Sequence, residues 1–264
     1  MRRKNVLREL LNEDKPTIGT HVHSMWPGMV EVIGHTGVID YIEFSGEYAP
    51  YDLFSLENFS RAIDLFDHMS SMMKIEAELR SYLAVRAVGS GIQNLLFARI
   101  KNAKEAKEAI AAALADTPSC GGTAGAGMRR DVGYVMGPGS ADYVKSLEEG
   151  VKALMIERKS SVDDLEQILS VKGVDMVQFG PADYSMSLDL PGQWDHPEVK
   201  KADKYIIETA LKMGVRPRIE IFDMEAAKPY IDMGVRDFCI GWDVFTVYQY
   251  CKKHGEGLAK LLGR

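Results

Sequence analysis

The stretch Val151-Lys-Ala-Leu-Met-Ile-Glu-Arg-Lys-Ser-Ser-Val-Asp-Asp-Leu-Glu-Gln-Ile-Leu-Ser-Val-Lys-Gly-Val-Asp-Met-Val-Gln-Phe-Gly-Pro-Ala-Asp183 holds two short apolar runs with a longer, partly charged segment between them. Runs 151–157 and 174–179 are nearly continuous in apolar residues, as strands buried on both faces of a parallel sheet are. The segment between them reads as a helix, and Gly173 stands where a helix ends before the next strand. Outward from here the alternation repeats. Further β-rich runs lie at 17–23, 39–45, 72–77, 92–98, 216–221 and 237–242, which makes eight. Helical patterns at 56–69, 103–114 and 196–213 separate some of them, and Gly89, Gly214 and Gly234 precede strands as Gly173 does. Eight β-then-α units in 264 residues predict an α/β fold, a single (β/α)8 TIM barrel. An open doubly wound sheet is the alternative, weakened because no Gly-x-Gly-x-x-Gly follows the first strand. Residues before Pro16 predict an extra N-terminal helix at the barrel's bottom.

Composition narrows the class. Apolar residues make up 46% and charged residues 27%, the mix of a globular enzyme. A net charge of -6 argues against a nucleic-acid binder. No run of apolar residues is long enough to span a membrane. Cys120, Cys239 and Cys251 are widely spaced, with neither a zinc motif nor a disulfide framework, so a reducing cytoplasm is the default location. One connection breaks the rhythm: the glycine-rich loop 117–140 between strands four and five, which contains Arg129 and Arg130. Its length marks it as an active-site or interface loop.

In a barrel, catalytic groups stand at the C-terminal ends of strands. Glu157 ends the fifth strand and Asp183 follows the sixth. Adjacent strands are about 5 Å apart, and two acids that close repel unless a cation lies between them. Oxygen-only ligation suits magnesium or manganese, with water or substrate completing the shell. The blander reading pairs Glu157 with Arg158 or Lys159 and makes Asp183 a helix cap.

The residues Leu154-Met-Ile-Glu157, Gly173-Val-Asp-Met-Val-Gln-Phe-Gly-Pro-Ala-Asp183 and His196-Pro-Glu-Val resemble the class II pyruvate aldolases of the HpcH/HpaI family, within the phosphoenolpyruvate/pyruvate superfamily. Ile18-Gly19, Glu47-Tyr-Ala-Pro50 and the segment 235–243 extend the resemblance over about residues 16 to 260. It implies a metal-dependent carbon–carbon lyase. Such an enzyme cleaves or forms a 4-hydroxy-2-oxo acid through a metal-bound pyruvate enolate, with a 2-oxo acid and an aldehyde as its small-molecule partners. It also implies a divalent metal (Mg2+, Mn2+ or Co2+) on Glu157 and Asp183, and backbone amides of Ala182 and Asp183 that receive the oxo acid's carboxylate. Glu47 would hydrogen-bond water on the metal. The assembly would be a homo-oligomer, usually a hexamer, in which the last helix packs on a neighbouring subunit.

The sequence departs from this family where the proton chemistry should be. The usual Asp-Gly-Glu-His-Ala-Pro reads Ser45-Gly-Glu-Tyr-Ala-Pro50, so Tyr48 and Ser45 replace the acid/base histidine and its aspartate. Lys74 stands for a strand-three arginine that contacts the oxo group, and Met155 for a glutamine. An ordinary tyrosine, with a pKa of about 10, is a poor base at neutral pH. His23, two residues from His21 and on the same strand face, is the candidate replacement. Its alternative is packing inside the barrel. Arg129 and Arg130 would grip the second substrate or pair across subunits. Two other activities remain open: decarboxylation of an oxaloacetate-like acid, and a non-catalytic barrel that binds oxo acids.

Overall fold

Each of the eight apolar runs forms a strand in the computed structural model, which describes residues 3–264. They are β1 (Thr17–Val22), β2 (Tyr41–Phe44), β3 (Ser70–Ile75), β4 (Asn94–Phe97), β5 (Lys152–Ile156), β6 (Met176–Phe179), β7 (Arg216–Ile221) and β8 (Asp237–Trp242). All neighbours pair in parallel and β8 closes on β1, giving the (β/α)8 TIM barrel. The returning helices include Leu53–Ile63, Arg80–Gly89, Ala103–Ala112 and Pro197–Lys212. They lay Leu56, Phe59, Ala106, Ile110 and Ile206 against the outer faces of the strands to form the main apolar core. Gly173, Gly214 and Gly234 take the left-handed backbone expected of them, with φ of 96°, 74° and 98°. The fourth position is corrected. Gly89 lies inside its helix, and the left-handed turn falls on Gly91, φ 105°.

The extra N-terminal helix is present as Val6–Asn12 and stoppers the bottom. Leu7 is fully buried with Tyr41, Met72, Leu96 and Met176. Asn5 donates to Asn94 Oδ1 at 2.7 Å, and Arg8 grips Asp175 with bonds of 2.8 and 2.6 Å, pinning the helix to the starts of β4 and β6. The 117–140 segment also belongs to this end. It follows the helix Ala103–Ala112 and therefore runs where helices return to strands, opposite the strands' C-terminal ends. Arg130 pairs with Asp64, just after one helix, and presses on Gly91, just after another, while Arg129 packs against Gly89.

The barrel interior is polar in its upper half. Alternation sends Tyr41, Glu43 and Ser45 inward from β2, and Arg218 and Glu220 from β7. Arg218 is fully buried and is bonded on three sides. It donates from Nε to Tyr41 Oη at 2.6 Å, pairs with Glu43 Oε2 at 2.5 Å, and reaches Gln178 Oε1.

The seam between β1 and β8 is irregular. Gly19 faces Cys239 but His21 faces Trp242, so β8 carries one extra residue there. Gly241, φ 58°, takes the bulge, and Thr20 Oγ1 donates to Ile240 O at 2.8 Å. Just beyond, the Asp243 carboxylate accepts the backbone N–H groups of His23 and Ser24, each at 2.9 Å, clasping the end of β8 to the end of β1. The last helix, Asp243–Leu261, has no buried residue and exposes Val247, Tyr248, Leu258 and Leu261. Among the described residues, no helix is long and apolar enough to cross a membrane.

Replacing Arg218 by Met strands the Glu43 carboxylate in the barrel. Breaking such a pair costs about 3–5 kcal/mol. Chemical denaturation of Arg218→Met should therefore show a loss of that size, and Arg218→Met with Glu43→Leu should regain most of it.

Candidate active site

At the C-terminal ends of the strands the barrel opens into a cavity of about 500 Å³. Glu157 immediately follows β5. The β5–β6 register pairs Ile156 with Phe179, which sets Glu157 beside Gly180. A Cβ at Gly180 would lie 2.7 Å from Glu157 Oε2, so only glycine allows the carboxylate this position. Its other oxygen, Oε1, accepts the Arg99 backbone N–H at 2.6 Å. Arg99 holds a left-handed backbone, φ 56°, to make that bond, a strain of the kind found at functional sites. Burial raises the Glu157 carboxyl above the usual carboxylate range and Asp183 adds to this, while Lys74 and the Arg99 amide oppose it.

Asp183 sits in the first turn of the helix Pro181–Ser187, lines the same cavity, and has no side-chain hydrogen bond or ion pair among the described residues. Pro181 starts that helix, and its first amides have no partner within it. The alternatives from sequence do not hold: Glu157 pairs with neither Arg158 nor Lys159, whose ammonium is engaged by Asp163 at 2.6 Å. Among the described residues no three His, Cys, Asp or Glu side chains cluster as a metal cage. Two carboxylates facing one cavity, with only oxygen to offer, fit a hard divalent cation that completes its shell with water or substrate oxygens. They do not fit a closed zinc site.

A charged group flanks this pair. Glu47 is buried between Lys74 Nζ at 2.8 Å and Arg99 Nε at 3.1 Å. Lys74 Nζ also donates to Tyr48 Oη at 2.8 Å. Burial works against the lysine's charge, but Tyr48, Glu157 and Glu47 outweigh it and raise its pKa. Tyr48 is half-exposed over its ring, yet its hydroxyl turns inward, and burial pushes it up to about 12 against the pull of Lys74. Its hydroxyl is therefore protonated at neutral pH.

Across the barrel, His21, His23 and Trp242 form three nearly parallel rings. His21 lies 5.1 Å from Trp242 and 5.5 Å from His23, both at 14°. His23 stands 6.1 Å from the Tyr48 ring. Burial pushes His21 down to about 4, so it is neutral at pH 7, and its 3.5 Å approach to Glu220 is not an ion pair.

The structure thus gathers His23, Ser45, Tyr48, Lys74, Glu157, Ala182 and Asp183 on one cavity wall or another, with Glu47 directly behind Lys74. It does not bring Arg129 or Arg130 there; both are held at the opposite end by Asp64, Gly91 and Gly89, so their assignment to substrate is not supported. The sequence reading passed over Glu43, Gln178 and Arg218, and gave Glu220 no role. The available signal was charge at alternate positions within otherwise apolar strands.

A model of the family described as HpcH/HpaI aldolase/citrate lyase matches residues 18–249. A hydroxypyruvate/pyruvate aldolase of Paraburkholderia phytofirmans is 29% identical over 91% of this chain and 92% of its own. A 4-hydroxy-2-oxo-heptane-1,7-dioate aldolase of Shigella boydii is 28% identical over 91% of this chain and 89% of its own. The crystal structure of an HpcH/HpaI aldolase/citrate lyase family protein from Burkholderia cenocepacia superposes with a TM-score of 0.87 at 25% identity, covering 97% of this chain and 99% of that one.

The neutral His21 has a measurable consequence. An unfolded histidine titrates at about 6.5. Between that value and about 4, the unfolded chain binds a proton that folded His21 refuses. Stability therefore falls as pH drops through this window, by about 1.4 kcal/mol per pH unit at most. Denaturation at stepped pH should show this slope reduced by one proton in His21→Gln.

Proposed function

Because the chain belongs to the HpcH/HpaI aldolase/citrate lyase family, we propose that it is a carbon–carbon lyase that splits a 4-hydroxy-2-oxo acid into pyruvate, or another 2-oxo acid, and an aldehyde, and joins them in reverse. The observation that carries this reading is the facing of Glu157 and Asp183, on the β5–β6 side, by His23 and Tyr48, on the β1–β2 side, across a single cavity. In the closed strand order β1 lies four strands from β5, so a substrate can be anchored at one wall and lose its proton at the other.

Glu157 and Asp183 would hold a divalent cation, Mg2+, Mn2+ or Co2+. Bound there, the cation would supply Lewis-acid stabilisation of the negative charge that develops on the oxo oxygen. The backbone N–H groups of Ala182 and Asp183 receive the carboxylate at a helix start, where amides are free and the dipole favours an anion. Ser45, buried at the end of β2, lines the same cavity and would offer its hydroxyl to the substrate from that side. Glu47 fixes Lys74, and Lys74 fixes Tyr48. Because Tyr48 Oη accepts from the lysine, its own proton points elsewhere, and its high pKa makes it a donor rather than a base.

The base is His23. In cleavage a ring nitrogen takes the proton of the 4-hydroxyl, the C3–C4 electron pair passes into the enolate, and the aldehyde leaves. His23 then returns the proton to C3, giving the methyl group of pyruvate. The Tyr48 hydroxyl donates to the oxygen on which charge builds. The last helix, with its uncovered apolar side chains, supports a homo-oligomer, a hexamer by the resemblance noted from sequence.

Metal-stripped protein should exchange the methyl protons of pyruvate with deuterated water only after Mg2+ or Mn2+ is restored, and Glu157→Gln or Asp183→Asn should abolish that exchange. His23→Asn should lower aldol cleavage about 10²- to 10⁴-fold at an unchanged melting temperature. Undiminished turnover in His23→Asn would remove the base from this scheme, and exchange without added metal would remove the cation.

A further inference from the structure

The two carboxylates assigned to the cation do not stand in a purely negative setting. Glu47, Glu157 and Asp183 meet the ammonium of Lys74 and the guanidinium of Arg99. Lys74 is buried and bonded to both Glu47 and Tyr48. Arg99 is held more loosely. Its Nε stands 3.1 Å from Glu47 Oε1, its side chain is 43% exposed, and among the described residues Glu47 is its only ion-pair partner. Burial works against its charge, but Glu47, Asp183 and Glu157 outweigh it and raise its pKa. The charge of Arg99 therefore acts on both acids of the cation pair while its side chain is paired with neither.

The backbone at this position singles out the side chain. Arg99 holds φ 56°, a left-handed conformation that glycine adopts readily and arginine does not. That conformation brings the Arg99 backbone N–H to Glu157 Oε1 at 2.6 Å, and glycine has the same N–H. A strained residue where glycine would make the same bond points to a use for what lies beyond its Cα. The guanidinium is a fixed positive charge, because arginine keeps its proton at any working pH.

The consequences follow from the sign of that charge. It repels a divalent cation on Glu157 and Asp183, and it attracts an anion that joins the cation there. A unit charge within about 8 Å of a divalent ion changes its binding about fivefold to tenfold even at the dielectric of water. For a single negative charge the same field amounts to about twofold to threefold, in the opposite direction.

We propose that Arg99 tunes the cation site: its guanidinium keeps Glu157 and Asp183 from holding a divalent cation tightly, and it strengthens the hold on the carboxylate of the oxo acid. This rests on the reading of Glu157 and Asp183 as cation ligands and extends it to a side chain outside the ligand set. The cation is thereby loosely bound by the protein alone and exchanges readily until an oxo acid joins it.

The test needs no turnover. Metal-stripped protein is titrated with Mn2+, the free ion being read by electron paramagnetic resonance, and oxamate binding to the Mn2+-saturated protein is then measured by calorimetry. Arg99→Met should bind Mn2+ about fivefold to tenfold more tightly than the wild type, and oxamate about twofold to threefold more weakly. Arg99→Lys keeps the charge and should stay close to the wild type on both. The opposed signs are the signature, because general damage to the site weakens both ligands. Added KCl should narrow the gap between the wild type and Arg99→Met, since a half-exposed charge is screened. If the methionine variant does not fold, Arg99→Gly, which keeps the amide and relieves the left-handed strain, gives the same readouts. Mn2+ affinity in Arg99→Met or Arg99→Gly no higher than in the wild type overturns the proposal, and so does a gain in oxamate affinity. Wild-type Mn2+ binding that the variants leave unchanged refutes the role of Arg99 alone. Absence of Mn2+ binding in the wild type and all variants refutes the cation itself, and this proposal with it.

Discussion

A carboxylate inside a barrel must be matched by a cation or shed its charge, and this constraint organises the upper half of the molecule. Glu43 is answered by Arg218, and Glu47 by Lys74 and Arg99. Among the described residues, Glu157, Asp183 and Glu220 line the cavity without an ion pair to a lysine or arginine. The first two lie together on the β5–β6 side, and the third lies on β7. The interior is therefore divided into pairs that are internally balanced and wall positions that are not. The unbalanced positions are where a ligand contributes favourable energy that the protein alone cannot supply.

The balanced pairs also serve the unbalanced ones. Arg99 gives its guanidinium to Glu47 and its backbone amide to Glu157, in a backbone conformation that a non-glycine residue adopts only under constraint. Lys74 lies against Glu47 on one side and Tyr48 on the other. The replacement of a histidine by Tyr48 thus does not leave a gap. In the scheme proposed above, Tyr48 would make this a donating position, and proton acceptance would fall to the β1 side, where His23 stands among stacked rings.

Much of this was legible in the residues. Eight apolar runs with helical intervals became eight strands, because buried parallel strands and amphipathic helices have patterns that survive without tertiary information. The Gly-Pro-Ala-Asp turn and the upstream Ile-Glu placed Glu157 and Asp183 on one cavity, since strand ends in a barrel share a rim. Of the two readings of the loop 117–140, active-site or interface, the first does not hold, for a physical reason. Glycine content and length report freedom from regular structure, not which end of the barrel a segment occupies, and that is fixed by its position after a helix rather than after a strand. Arg129 and Arg130 follow the loop to the end opposite the cavity. The Glu43–Arg218 pair was hidden because its partners are 175 residues apart, and only closure of the barrel brings them together.

The clasp of Asp243 on the amides of His23 and Ser24 joins the chain's first strand to its last. The His23–Trp242 side of the cavity therefore does not exist in a growing polypeptide until the eighth strand has been made. A nascent chain lacking the final strand can form the β5–β6 rim but not the wall that faces it. Truncation before residue 237, which removes β8, would leave a partial barrel with an open flank rather than a weaker catalyst.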